Sequence, residues 1–374
     1  MNKRLTSIDL IRGVVMVLMA IDHVRVYSGL PAGGAATGIF FTRWITHFCV
    51  PAFVFFAGTG AWLQGQKNSD KAALTRFLVL RGILLVALEL TVIRWCWTFN
   101  LDYAHFMLAG VIWMLGWCMI LLAALIRLPL RVIATIGIII IFLQQAFGWL
   151  GRLLPVSVRP LWEFLYPTGT EPWQGLNILY TLVPWIGVMA AGYAFGLVLL
   201  LEPATRRKIC LWIGLSATVL FVLIGGGLVL WHPAPADGLS PLLRLLNQTK
   251  YPASQLYLMM TLGPIIALLP LAAKARGWAA NILLVFGRVP LFYYLLHIPL
   301  IHLSALGVNL LRTGMTHQEW YGTAPYDWVP PPQRWTLGLL YGVWLADVVI
   351  LYFACRWYAE YKAAHPEKRW LKYL

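Results

Sequence analysis

The sequence predicts an all-α polytopic membrane protein with about ten transmembrane helices and both termini on the cytoplasmic side. Three observations carry this prediction. Apolar residues make up 60% of the 374 positions and charged residues 11%, with a mean hydropathy of +0.73. A thin polar coat could not cover that much apolar surface in water. Apolar runs at 8–27, 39–64, 75–98, 104–126, 131–150, 176–201, 209–231, 254–273, 279–305 and 335–357 approach the ~20 residues that cross ~30 Å of hydrocarbon. Finally, Lys and Arg alternate between dense and sparse connections. One set of loops and ends holds Lys3, Arg4, Lys67, Lys71, Arg76, Arg127, Arg131, Arg206, Arg207, Lys208, Lys274, Arg276, Arg356, Lys362, Lys368, Arg369 and Lys372. The alternate, longer loops hold Arg152, Arg159, Arg244, Lys250, Arg312 and Arg334. An even number of spans with cytoplasmic termini satisfies the positive-inside rule at each connection.

The net charge of +15 is thereby explained by topology, and no nucleic acid partner follows from it. The lipid bilayer is the partner implied. Lys3 and Arg4 precede an interrupted apolar run without a small-residue cleavage site, so the first run reads as a retained helix. Cys49, Cys96, Cys118, Cys210 and Cys355 fall in or beside spans without CxxC spacing, which suits buried apolar filler rather than zinc or disulfides. Residues 1–374 read as one transmembrane domain, without repeat or low-complexity segment, and a homodimer is left open.

The long connections 148–176, 231–254 and 305–335 fall on the outer side. They carry Trp162, Tyr166, Trp173, Trp320, Tyr321, Tyr326 and Trp328, which fit either an interfacial aromatic belt or a rim that contacts sugar rings. Gly192-x-x-x-Gly196 and Gly338-x-x-x-Gly342 have the spacing of close helix contacts.

Ionisable groups in a span cost roughly 2.5 kcal/mol or more each, so each requires a partner, a cavity or a task. The first helix carries Asp9, Arg12, Asp22, His23 and Arg25. Arg12 and His23 share a face ~16 Å apart along the axis. Asp9 and Arg12 have the spacing of a local ion pair. Arg43 and His47 on the second helix, and His297 with Tyr293 one turn below it on the ninth, fall at the depth of His23. Pro299 is expected to bend that ninth helix. Glu89, Arg94, His302 and Asp347 complete the intramembrane set. Imidazole suits proton transfer near neutral pH. No HxxxH or HExxH pair favours a metal, and neither a GxSxG elbow nor a P-loop is present. The residues alone thus describe a polar, histidine-bearing cavity opening outward with a charged pair toward the cytoplasm.

Arg4-Leu-Thr-Ser-Ile-Asp9-Leu-Ile-Arg12-Gly13, continuing to Ile21-Asp22-His23-Val24-Arg25, resembles the opening of bacterial heparan-alpha-glucosaminide N-acetyltransferase-like membrane proteins. Thr42–Thr59 and Gly287–His297 are similar to later helices of the same group. The sharp motifs cover the first two helices and the ninth. The acyltransferase-three family shares the Asp-x-x-Arg-Gly opening with a histidine ten residues after the glycine, which is His23 here. These resemblances imply a membrane acyltransferase of the inner membrane, transferring acetyl from acetyl-CoA to a glycan or glycolipid hydroxyl or amine at the outer face. They imply His23 as catalytic base tuned by Asp22, with Arg43, His47, His297 and Tyr293 on the acceptor side. Arg12, Asp9 and Arg288 would serve the donor, since guanidinium suits phosphate. Lysosomal members carry a further histidine in the loop after the first helix, whereas Ser28–Gly38 contains none. An acyl-histidine route would then fall to His23 or His47, with direct transfer as the alternative. The rival reading of the same buried charges is a proton-coupled transporter or lipid flippase.

Overall fold

The computed structural model describes residues 5–34, 36–67, 70–167, 175–232, 238–324, 326 and 328–373. Lys3, Arg4 and Trp173 lie outside these residues, as do the side chains of Arg369 and Lys372. The chain is helical almost throughout. It begins with α1 (Thr6–Tyr27), then α2 (Thr37–Trp44) and α3 (Cys49–Gly65), joined by the 3-10 turn Ile45–Phe48. Next come α4 (Lys71–Leu88), the π-helical turn Glu89–Ile93 and α5 (Arg94–Thr98). Strand β1 (Met107–Ala109) leads into α6 (Val111–Leu125), α7 (Leu130–Phe142), α8 (Gln144–Leu153) and the single turn α9 (Arg159–Trp162). Strand β2 (Leu176–Ile178) precedes α10 (Trp185–Phe195), α11 (Pro203–Trp231) and α12 (Pro241–Leu246). The chain finishes with α13 (Gln255–Ala272), α14 (Trp278–Arg288), α15 (Pro290–Thr313) and α16 (Leu337–Ala364).

All ten apolar runs contain helix, but they do not form ten uniform rods. Five described stretches are long and apolar enough to cross a membrane: Thr37–Gly65, Pro203–Trp231, Gln255–Ala272, Pro290–Thr313 and Leu337–Ala364. The bent pair α7–α8, with 66° between its halves, makes a sixth. At 22 residues α1 is long enough, but Asp9, Arg12, Asp22 and Arg25 make it too charged to count by composition. The fourth and sixth runs begin as β1 and β2, which pair in parallel with Met107 opposite Leu176. The ninth run is two helices. Pro290 has no N–H to donate and takes the first position of α15, so the break falls at Val289–Pro290. Pro299, expected to mark the bend, lies inside a continuous α15.

The helices meet where backbone can touch backbone. A Cβ on Gly13 would lie 1.9 Å from the carbonyl oxygen of Leu283, and one on Gly287 would lie 1.7 Å from that of Asp9. The α1–α14 crossing is thus closed by glycines on both sides. The same reciprocity joins α3 to α10 through Gly58 and Gly192, and α4 to α6 through Gly82 and Gly116. Small residues allow this approach in lipid, where close packing replaces the hydrophobic drive. Gly196 completes its expected contact against Trp62, whereas Gly342 has nothing within 4 Å and Gly338 only its neighbour's hydroxyl. The second small-residue motif therefore makes no helix contact, being on a face of α16 that no helix covers.

Helix α1 is the hub, packing against α2, α3, α13, α14, α15 and α16. By contrast α11 exposes Trp212, Leu215, Val219, Leu223 and Leu230, as a lipid-facing helix does. All five cysteines are free and buried. Arg94, fully buried, is explained by its partners. Its guanidinium donates to the Phe106 carbonyl at 2.9 Å, to Thr98 Oγ1 at 3.0 Å, to Asn100 Oδ1 at 2.7 Å and to the carbonyls of Asn100 and Asp102. It thereby shapes the loop between α5 and β1, a structural task.

Gly287→Val should place side-chain atoms inside the α1 backbone and cost more than the ~1–3 kcal/mol usual for overpacking. Gly342→Ala should leave stability within ~0.5 kcal/mol. Thermal unfolding of purified protein by size-exclusion fluorescence checks both; equal melting temperatures for Gly287→Val and wild type would refute the crossing.

Candidate active site

Two cavities lie along α1. The first, about 290 Å³, is lined by Arg12 and Met16 of α1, Gln64 of α3, Phe77 and Arg81 of α4, and Pro290 of α15, among others. The second, about 370 Å³, is lined by Asp22, His23 and Arg25 near the other end of α1, with Arg43, Glu89, Trp97, Asn177 and Lys250. Val111 and Tyr294 belong to both walls. The two spaces therefore share a partition, with Arg12 on one side and His23 on the other.

His23 is the best-defined group at this partition. Its Nδ1 lies 2.6 Å from Nε2 of His297, and the two rings stack with centroids 4.8 Å apart. Nδ1 of His297 lies 2.7 Å from the Tyr294 carbonyl oxygen and 3.2 Å from that of Tyr293. A carbonyl only accepts, so this nitrogen carries a proton and donates it. In the neutral ring Nε2 is then bare and must accept from Nδ1–H of His23. His23 is left with an unprotonated Nε2 on a ring that lines the second cavity. Trp97 packs edge-on to it at 5.0 Å, which fixes the ring further. The arrangement parallels the carboxylate–imidazole pairs of acyl transfer, with a carbonyl-anchored histidine in the orienting position.

Helix geometry explains how distant residues arrive here. Pro290 starts α15 immediately after the glycine crossing, so α15 runs beside α1. His297 lies ten residues beyond Gly287 and His23 ten beyond Gly13, which brings them level at ~1.5 Å per residue. The cavity roof comes from the loops. Tyr27 donates to the Trp97 carbonyl at 2.9 Å, and Trp335 N–H donates to the Ser28 carbonyl at 3.1 Å. Tyr27 also packs on Tyr321 and Tyr326. Several aromatics of the long loops thus close over α1, and Ala324 lines the cavity itself.

The other predicted residues divide. Asp22 lines the cavity, but its Oδ1 accepts from Arg25 Nε at 2.9 Å, and the hydrogen-bond partner of His23 is His297. Arg43 lines the cavity and donates to the Ala32 carbonyl at 2.7 Å. His297 and Tyr293 are fully buried behind His23 and are not among the lining residues; their place is support, not the wall. His47 is brought to neither histidine. It is 3% exposed, packs on Tyr257 at 5.4 Å, and neither ring nitrogen has a hydrogen-bond partner among the described residues.

Arg12 stands in the first cavity, with one guanidinium nitrogen donating to the Phe56 carbonyl at 2.6 Å. Asp9 is buried on α1 with its carbonyl against Gly287, and Arg288 is exposed at the end of α14. Neither lines that cavity. Position along a helix could not give their rotation within the bundle.

Sequence reasoning missed Arg81, whose guanidinium shares the first cavity with Arg12. A charged residue within the 75–98 run was a signal that could have found it. Tyr294 and Lys250 were missed too, one as an unremarked neighbour of Tyr293 and the other as a loop cation. Glu89 gains a definite setting. It opens the π-helical turn, and its Oε2 accepts from the N–H groups of Ile112 and Trp113 at 2.9 and 3.2 Å. Its carboxyl group thus satisfies free donors at the N-terminus of α6 while lining the second cavity.

No match was found among curated proteins. The family model described as heparan-alpha-glucosaminide N-acetyltransferase, catalytic, matches residues 4–232, more than half of the chain. That stretch contains Arg12, His23, Arg43, Arg81 and Glu89; Lys250, Tyr294 and His297 lie beyond it. The chain, a multi-pass α-helical membrane protein with a hydrogen-bonded histidine pair at the meeting of two cavities, belongs to the heparan-alpha-glucosaminide N-acetyltransferase catalytic family of membrane acetyltransferases.

Proposed function

We propose that this protein transfers acetyl from acetyl-CoA, entering the first cavity from the cytoplasm, to a glycan or glycolipid hydroxyl or amine held in the second cavity at the outer face of the inner membrane. The observation that carries this reading is the Tyr294 carbonyl–His297–His23 chain, which leaves the bare Nε2 of His23 at the cavity wall. The two-sided arrangement supports it further. Arg12 and Arg81 supply guanidinium groups for the donor's phosphates, and ~16 Å along α1 separates Arg12 from His23. An extended thioester arm spans a distance of that order.

In this reading the arm reaches His23 past Tyr294 and Val111. Nε2 of His23 takes the proton from the acceptor hydroxyl or amine as its oxygen or nitrogen attacks the thioester carbonyl. The C–S bond then breaks, and the sulfur leaves as thiolate and recovers the proton from His23. His297 steadies the imidazolium formed between these steps by its accepting Nε2, and the Tyr294 carbonyl holds His297 in the required tautomer. Transfer is direct in this reading, since the loop Ser28–Gly38 carries no histidine and His297, the imidazole bonded to His23, is fully buried.

His23→Ala should lower kcat by about 10²–10⁴-fold, the range of a lost general base, with unchanged expression and elution from a sizing column. His297→Phe should lower kcat in the same direction with a smaller change in acceptor KM. Transfer of labelled acetyl in nanodiscs measures both, and full activity of His23→Ala would sink the reading. Arg81→Gln should raise the KM for acetyl-CoA about tenfold, the loss of one charge-assisted hydrogen bond. A rise in acceptor KM in its place would move Arg81 out of the donor site.

A further inference from the structure

Glu89 is 1% exposed, yet it lines the His23 cavity from the π-helical turn between α4 and α5. Such turns inside α-helices occur frequently at functional sites. Its Oε2 takes both α6 N–H groups, those of Ile112 and Trp113. Its other oxygen, Oε1, has no hydrogen-bond partner among the described residues and is accessible from the cavity. A Cβ on Gly110 would lie 2.5 Å from Oε1, so the glycine leaves the carboxyl group its place at the start of α6. Gly110 lines the His23 cavity, Ile112 the Arg12 cavity and Val111 both. Glu89 therefore stands where the chain passes from one space to the other, at the point an acetyl group crosses to reach His23.

The surroundings of this acid hold no counter-charge. Among the described residues no Lys, Arg or His forms an ion pair with it. The elements packed on it bring backbone from β1 and α6 and, from α15, the phenol of Tyr294. Asp22, His23, Arg25, Arg43 and Lys250 share the cavity, but Arg25 is paired with Asp22 and none of the five acts on Glu89. A sealed carboxylate needs a cation or water around it; the end of α6 supplies two N–H groups and no full charge. A neutral carboxyl keeps both of those bonds through Oε2 and makes Oε1 an O–H donor facing the crossing.

We propose that Glu89 is a catalytic residue held as the neutral acid, and that its Oε1–H donates to the carbonyl oxygen of the acetyl thioester while that oxygen carries negative charge. This rests on the acetyl-transfer reading above and adds the group that stabilises its intermediate. The acceptor's oxygen or nitrogen attacks the carbonyl carbon, its proton passes to Nε2 of His23, and the C=O electron pair moves onto oxygen, where it meets Oε1–H. That pair returns as the C–S bond breaks. The thiolate recovers the proton from His23, and Glu89 ends with the proton it began with. A fixed donor aimed at the developing charge, in a space closed to bulk water, acts most strongly at this stage.

The test uses the full chain in phosphatidylcholine nanodiscs, with glucosamine as acceptor and two donors: acetyl-CoA, and its dithioester analogue in which sulfur replaces the carbonyl oxygen and accepts hydrogen bonds poorly. Glu89→Met should lower kcat about 10²–10³-fold with acetyl-CoA, and about tenfold less than that with the dithioester. Glu89→Gln keeps an oxygen for the α6 N–H groups and an N–H donor in place of Oε1–H, so it should recover most of the kcat that Glu89→Met loses. Equal losses with the two donors would show a side chain that does no more than cap α6, and they overturn the proposal. So does a Glu89→Gln enzyme as slow as Glu89→Met, the result expected of an ionised carboxylate. Infrared spectra give an arm without turnover: near neutral pH, wild type should show a protonated-carboxyl C=O band that Glu89→Gln lacks, and identical spectra overturn the neutral form. Acetyl transfer that needs His23 but not Glu89 keeps the reading above and defeats this role; a wild type that transfers no acetyl defeats both.

Discussion

The architecture depends on one approach of backbone to backbone, where α1 and α14 cross at Gly13 and Gly287. Either Cβ would fall within 2 Å of a carbonyl oxygen on the opposing helix, so this separation exists only for glycine. Because Pro290 begins α15 three residues later, the crossing also sets where α15 runs. It lays α15 along α1 in register and brings His297 to hydrogen-bonding distance of His23. A contact near one end of the helix thereby fixes a histidine pair toward the other.

That pair shows how a membrane protein can orient an imidazole without a charged partner. A carboxylate behind His23 would itself need a counter-charge or water in a low-dielectric interior. A backbone carbonyl needs neither. The Tyr294 carbonyl accepts from His297, His297 accepts from His23, and the polarity of the chain follows from hydrogen-bond inventory alone. The two acids that line the His23 cavity are satisfied locally, Asp22 by Arg25 and Glu89 by the end of α6. They shape the wall without competing for the histidine. Tyr294 joins both tasks, since its backbone holds the dyad while the residue stands between the two cavities.

The loops add what the bundle alone lacks. Arg94 gathers the carbonyls of the turn after α5, the β1–β2 pair lines one side of the His23 cavity, and the aromatic segment around Tyr321 and Tyr326 packs over Tyr27. These connections are long because they complete a chamber. Lys250 sits in one of them, and a loop cation becomes a buried one only through this closure.

Periodicity, composition and loop charge were sufficient for the membrane class and the helical content, because they depend on local transfer energies that each segment carries by itself. The same holds for α1: Arg12 and His23 had to share a face, since helical geometry is local. Spacing also marked Gly192 and Gly196 as contacts, but gave Gly338 and Gly342 the same weight although α16 turns them away from every helix. What decided the site was rotation and register between helices remote in sequence. His297 moved from presumed wall to support, His47 was buried against Tyr257 away from both histidines, and Asp9 and Arg288 fell outside the cavity that Arg12 and Arg81 share. Depth along a helix is written in residue number, whereas the direction a side chain faces within a bundle is set by which neighbours can approach, and that is a property of the whole packed fold.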